Sequence, residues 1–121
     1  MEDKIILLED LVKAPCGVRT TNDNWCKRIY SDNEYYVYIT PIKTYEVFYR
    51  TTKPLLEVDK ESGLPRKVDG VMKEAYPRDN DFGSWAWSYS RLESVIEFLF
   101  LSGRNVKIED LSENIERYYK N

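Results

Sequence analysis

Apolar residues recur along this chain with two different periods, and the change between them divides it. In Glu34–Thr40, Tyr35, Val37 and Ile39 fall on one face, and in Thr44–Thr52 so do Tyr45, Val47 and Tyr49. That alternation is the signature of half-buried strands. Together with Trp25–Tyr30 these segments are rich in Tyr, Val, Ile, Thr and Phe, side chains that suit a pleated surface. Ser31-Asp32-Asn33 and Pro41-Ile42-Lys43 are short enough to join antiparallel neighbours, so a central meander is predicted. Trp85–Tyr89 alternates large and small residues, as a strand with one packed face does. Leu55–Asp59 and Arg66–Val68 flank the turn-rich Lys60–Pro65, which reads as a longer hairpin or a protruding loop.

After Ser90 the period becomes helical. Leu92, Val95, Ile96 and Leu99 form one stripe, which Phe98, Phe100 and Leu101 widen nearly all the way round. Ser90-Arg91-Leu92-Glu93 matches a capping box and predicts Ser90 as the N-cap, while Gly103 stands where a left-handed stop belongs. Ile108, Leu111, Ile115 and Tyr118 mark a last helix with Glu109, Glu113, Glu116 and Lys120 outside. At the other end, Ile5, Leu8, Leu11 and Val12 predict a short amphipathic helix over Asp3–Ala14, ended by Pro15 and Gly17, although Ile5–Leu8 also reads as a strand. Val18–Asn24 reads as a loop. The expected fold is α+β: an antiparallel sheet of four to five strands with the meander in its centre, packed by two C-terminal helices, plus the short N-terminal helix, in a single domain over 1–121.

Composition narrows this picture little. A length of 121 residues fits one domain that folds without staples, and the 32% charged and 42% apolar shares are those of an ordinary globular chain. Apolar runs such as Ile5–Leu8 and Phe98–Leu101 fall far short of the roughly 20 residues a membrane helix needs. The opening Met1-Glu2-Asp3-Lys4 lacks the basic and long apolar regions of a secretory signal, and Cys16 and Cys26 are too few for a disulfide framework, so the expected compartment is the cytoplasm. The net charge of −3 argues against an electrostatic footprint for duplex DNA.

The candidate chemistry is limited by what the chain lacks. With no histidine, the Ser-His-Asp and Cys-His arrangements and histidine-based metal sites drop out, and the two cysteines cannot close a structural zinc site. Asp79-Asn80-Asp81 resembles a piece of a calcium loop, but Gly83 is misplaced and no glutamate closes it. No glycine-rich phosphate loop occurs. A non-enzyme is therefore expected, with no catalytic residues, no metal and no cofactor.

Ten tyrosines shift attention to surfaces. If Tyr35, Val37, Ile39, Tyr45, Val47 and Tyr49 face the core, then Tyr36, Tyr38 and Phe48 share the other face with Arg28, Glu46 and Arg50. That face is either covered by a helix, or a contact surface for another protein, or a stacking platform for single-stranded RNA. The polar stretch containing Arg66 and Lys67 is a second place for a partner contact. The expected partner-binding set is Tyr36, Tyr38, Phe48, Arg50, Arg66 and Lys67. The expected function is a protein–protein interaction module, of the kind that inhibits a larger nucleic-acid-handling enzyme, as accessory proteins of phages and other mobile elements do. An RNA-binding module built on Tyr36, Tyr38 and Phe48 is the alternative.

Overall fold

The structure, a computed structural model, describes residues 4–13 and 25–119. Its strands are β1 (Lys4–Ile6), β2 (Leu11–Lys13), β3 (Trp25–Ser31), β4 (Tyr35–Ile39), β5 (Tyr45–Tyr49), β6 (Thr52–Val58), β7 (Pro65–Glu74) and β8 (Ala86–Tyr89). Helices α1 (Leu92–Leu101) and α2 (Ile108–Tyr119) follow, after a single 3₁₀ turn at Asp79–Asp81. The described residues divide into two compact units, one from 4–8 and 50–76, the other from 9–13, 25–49 and 77–119.

The larger unit is the expected α+β arrangement. Its five-stranded sheet runs in the order β2-β3-β4-β5-β8, and every pairing is antiparallel. The meander is present: β4 meets β5 in the register Tyr36↔Phe48, Val37↔Val47 and Tyr38↔Glu46. The β3–β4 turn is tied by Asp32, whose carboxylate accepts the backbone N–H groups of Glu34 and Tyr35, each at 2.7 Å. Both helices pack on one face, where Ile29, Tyr35, Val37, Ile39 and Val47 join Val95, Leu99 and Leu111 in a buried core. The end of α1 is a left-handed stop. Gly103 has φ +88°, its N–H donates to the Phe100 carbonyl, and the Arg104 N–H donates to the Leu99 carbonyl at 2.7 Å.

Two local expectations are corrected here. The N-cap of α1 is Arg91, not Ser90, and no side chain caps the helix. Glu93 lies within 3.4 Å of the Arg91 guanidinium, with both side chains exposed. The N-terminal helix is not formed either: among the described residues of Asp3–Ala14 the chain makes two short strands. β1 lies parallel to β7, with Ile5 opposite Met72, and β2 lies antiparallel to β3, with Val12 opposite Cys26. A 3.6-residue spacing of apolar side chains predicts a helix only while the segment stays in one piece. Here Asp10 breaks it: its carbonyl accepts the Arg28 N–H, and its carboxylate pairs with the Arg28 side chain. Pro15, Gly17, Cys16 and the 18–24 loop lie outside the described residues.

The smaller unit is a three-stranded sheet in the order β1-β7-β6. Of the two alternatives expected for 55–68, a longer hairpin or a protruding loop, β6 and β7 form the hairpin. Its loop closes through Asp59, whose N–H donates to the Leu64 carbonyl and whose own carbonyl accepts the Gly63 N–H, with Gly63 at φ +74°. The ladder is interrupted. Pro54 faces Met72 and Leu56 faces Lys67, so Val68–Val71 bulge outward, helped by Gly70 at φ +73°. Glu74 anchors the base of this sheet: its buried carboxylate accepts the Leu8 N–H and the Arg50 guanidinium, each at 2.8 Å.

Candidate functional site

The aromatic residues singled out from the sequence do meet, but in the interior. Tyr36, Tyr38 and Phe48 pack ring on ring, with centroids 5.6 to 5.9 Å apart, and Phe48 meets Trp85 edge-on. Their relative exposures are 2%, 0% and 0%. The Arg28 guanidinium sits 5.0 Å from the centre of the Tyr36 ring, and the Tyr38 hydroxyl donates to the Glu9 carbonyl at 2.6 Å. Burial pushes the Tyr38 phenol well above its usual range. Alternation rightly places these rings opposite the face that α1 and α2 cover, but that second face is interior as well. They offer neither a partner nor an RNA base an open ring. The continuous run Tyr35–Ile39 carries the signal for this, since a strand buried on both faces loses its polar positions.

The three basic candidates belong to the smaller unit. Arg50 is held by Glu74, and Lys67 is exposed opposite Leu56. Arg66 reaches across the hairpin to Glu57 at 2.5 Å, with both side chains largely exposed. On the opposite face of β6 from this pair, and in the turn, are aliphatic side chains left exposed: Leu56, Val58 and Leu64 are 57%, 67% and 65% exposed. Sequence reasoning missed them, although Leu56-Glu57-Val58 alternates and lies between Pro54 and Pro65.

The hairpin's hydrogen-bond parity fixes which main-chain groups look outward. In an antiparallel ladder, pairs that exchange hydrogen bonds alternate with pairs whose N–H and C=O groups point away. Asp59 bonds to Leu64, so the pair Glu57↔Arg66 is a bonded one, and Leu56↔Lys67 and Val58↔Pro65 are not. Pro65, which has no N–H to give, thus sits where none is needed from it. In the proximal half, Ala75 donates to Thr51, which makes Pro54↔Met72 a non-bonded pair by the same count. The outer edge of β6 is therefore blunted at Pro54. At Leu56 and Val58 it presents N–H and C=O groups that face away from β7.

A polar cluster in the larger unit is the other concentration of titratable groups. Arg104 reaches Asp32 at 3.0 Å and Glu34 at 2.5 Å, lies 4.7 Å from the centre of the Tyr35 ring, and donates to the Ser102 carbonyl. The Tyr30 hydroxyl donates to Asp32 at 2.6 Å. Burial, then the bond to Asp32, pushes the Tyr30 phenol up to about 12. Burial alone raises the Asp32 carboxyl, but the bonds from Tyr30, from the Glu34 and Tyr35 backbone and from Arg104 outweigh it and hold it below its ordinary 3.8. The bond to Glu34 raises Arg104 in turn. These groups satisfy one another and tie the β3–β4 turn to the end of α1.

An open cleft of about 480 Å³ lies between β3 and α2, lined in part by Ser31, Asn105, Asp110 and Arg117. The Asn114 amide at its wall is engaged, donating to the Ile29 carbonyl at 2.7 Å. Among the described residues, no group of three or more Cys, Asp or Glu side chains is placed to hold a metal ion, and no helix is long and apolar enough to cross a membrane. No protein-family model, no curated protein and no solved structure matches this chain.

Proposed function

We propose that this protein is a non-enzymatic protein–protein interaction module whose contact surface is the β6–β7 hairpin. The observation that carries this is the exposure of Leu56 and Val58 on one face of β6 and of Leu64 in the turn, with the Arg66–Glu57 pair on the strand's other face. Exposed aliphatic side chains on a strand whose charged groups are already paired suit the apolar part of a protein interface. The polar cluster around Asp32 supports the non-enzymatic assignment, because its donors and acceptors are committed to a turn and a helix end. The finer role assigned is inhibition of a larger nucleic-acid-handling enzyme, as a phage or mobile-element accessory protein. The net charge of −3 supports that role, since an acidic surface suits the basic groove of such an enzyme.

The test is affinity capture with chemical cross-linking from the native cell extract. The expected result is one stoichiometric protein, cross-linked through Lys60 or Lys67. Its capture falls at least about tenfold when Leu56 and Val58 are both replaced by Glu. Recovery of RNA in place of protein, with submicromolar and steeply salt-dependent affinity, sinks this reading and restores the nucleic-acid alternative.

A further inference from the structure

The exposed side chains mark where a partner touches, and the main chain beside them says what kind of partner fits. We infer that the outer edge of β6 at Leu56–Val58 is an acceptor for one extended strand of another protein, and that this strand alternates apolar with basic residues. The inference rests on the interaction-module reading and specifies its partner.

Three features of the hairpin carry it. First, among the described residues the hairpin beyond the bulge has only two strands, because β1 pairs with β7 at Val71–Lys73. Both distal edges are therefore unpaired by the sheet. Second, the two edges differ. Exposed edges are normally defended by proline, lysine or bulges. On β7 the outward positions are Pro65, which has no N–H, and Lys67. On β6 the proximal outward position is Pro54, but Leu56 and Val58 follow with their N–H and C=O groups intact and their side chains exposed. Those groups match the backbone of an added strand, the usual mode of β-strand addition, in which main-chain bonds give affinity and alternate side chains give specificity. Third, charge selects the occupant. Glu57 lies on β6 next to the open edge, with Asp59 just past the strand on the same face. Arg66 reaches across to Glu57 and offsets one of these two carboxylates, while Lys67 lies on β7 on the opposite face, about 10 Å from an added strand at two strand spacings. An incoming strand therefore meets carboxylates beside its charged positions and Leu56 and Val58 beside its apolar ones.

The same charges disfavour a second copy of this chain. Two β6 strands paired antiparallel about Glu57 set Glu57 against Glu57. Pairing about Val58 sets Glu57 against Asp59, and like charges directly opposed destabilise a sheet.

The experiment uses the whole chain and three end-capped peptides: Val-Lys-Val-Lys-Val, the same peptide N-methylated at alternate residues, and Val-Glu-Val-Glu-Val. Binding is followed by the amide resonances of Leu56 and Val58. The expected result is that the valine–lysine peptide shifts and protects those two amides. N-methylation, glutamate for lysine, and Val58→Pro each weaken binding at least about tenfold. Equal binding of the N-methylated peptide, no binding of any peptide, or concentration-dependent self-association protecting the same amides overturns the inference. The N-methylated peptide leaves the protein untouched, so the outcome stands even if Val58→Pro fails to fold. Capture of a stoichiometric protein with no peptide effect removes the strand-acceptor inference alone. Failure of capture removes the module reading beneath it.

Discussion

Tyr36, Tyr38 and Phe48 show how far single positions can be read from a sequence. Their side of the strand was legible from alternation, and the unbroken run Tyr35–Ile39 carried a signal of burial on both faces, but what covers the second face depends on segments far away in the chain. The structure turns them from contact residues into core, with a measurable consequence. Tyr36→Ala or Tyr38→Ala opens a cavity and costs about 3–5 kcal/mol in chemical denaturation, by analogy with buried phenylalanine. Tyr38→Phe keeps the ring but loses the hydroxyl's bonds to the Glu9 carbonyl and to Arg28, and should cost about 1–3 kcal/mol. The Asp32 cluster, assembled by residues that no sequence motif links, contributes to the pH dependence of this unit's stability. Asp32 titrates below its unfolded 3.8 in the fold. Its stabilisation is thus complete above that pH and is lost as pH falls through the lower folded value. Tyr30 works in the opposite sense: its contribution is complete below 10 and is lost as pH rises towards about 12. Denaturation midpoints across pH should fall on both limbs, the acid limb flattening in Asp32→Asn and the alkaline limb in Tyr30→Phe.

At the scale of elements, boundaries were legible where local chemistry alone decides them. The meander, the strand at Trp85–Tyr89 and the end of α1 depend on alternation, short turns and one glycine, and all are present. Gly103→Ala places a Cβ in open space but at φ +88°, so backbone strain alone should lower stability by about 1–2 kcal/mol. The capping box predicts the start of α1 one residue early, because residue types at the right spacing do not by themselves fix the backbone conformation that a cap requires. With Arg91 as N-cap and no side-chain cap, Ser90→Ala should change the denaturation free energy by no more than about 0.5 kcal/mol. The N-terminal segment was read as a helix because its apolar spacing ignores Asp10 and the partners waiting on β3 and β7. Such pairings are long-range, and no local pattern encodes them.

At the scale of the whole molecule, the two units bury their residues very differently. The larger one holds the cluster of Val37, Val47, Val95 and Leu99, all shielded from solvent. The smaller one is a thin sheet whose hairpin is exposed along most of both strands. Amide exchange tracks such differences, because weakly buried elements open at low free-energy cost. Native-state hydrogen exchange should find the amides of β4 and β5 exchanging only by global unfolding, and those of the distal β6–β7 hairpin exchanging orders of magnitude faster. Uniform protection across both units would contradict this division. The candidate site was hard to read from sequence for the same reason: in a strand whose side chains stay exposed, apolar residues such as Leu56 and Val58 look like ordinary core in the sequence.

One pairing has a consequence for the making of the protein. β1 leaves the ribosome before any of its neighbours, yet its partner on β7 runs from Val71 to Lys73. At about 5–20 residues per second, the first strand waits roughly 3 to 13 seconds for that partner to be synthesised. During that interval Ile5–Leu8 is a nascent apolar stretch with no sheet to join, a natural target for a chaperone. Moving β1 to follow β7 by circular permutation should shorten the delay and raise the yield of folded chain in cell-free translation without chaperones.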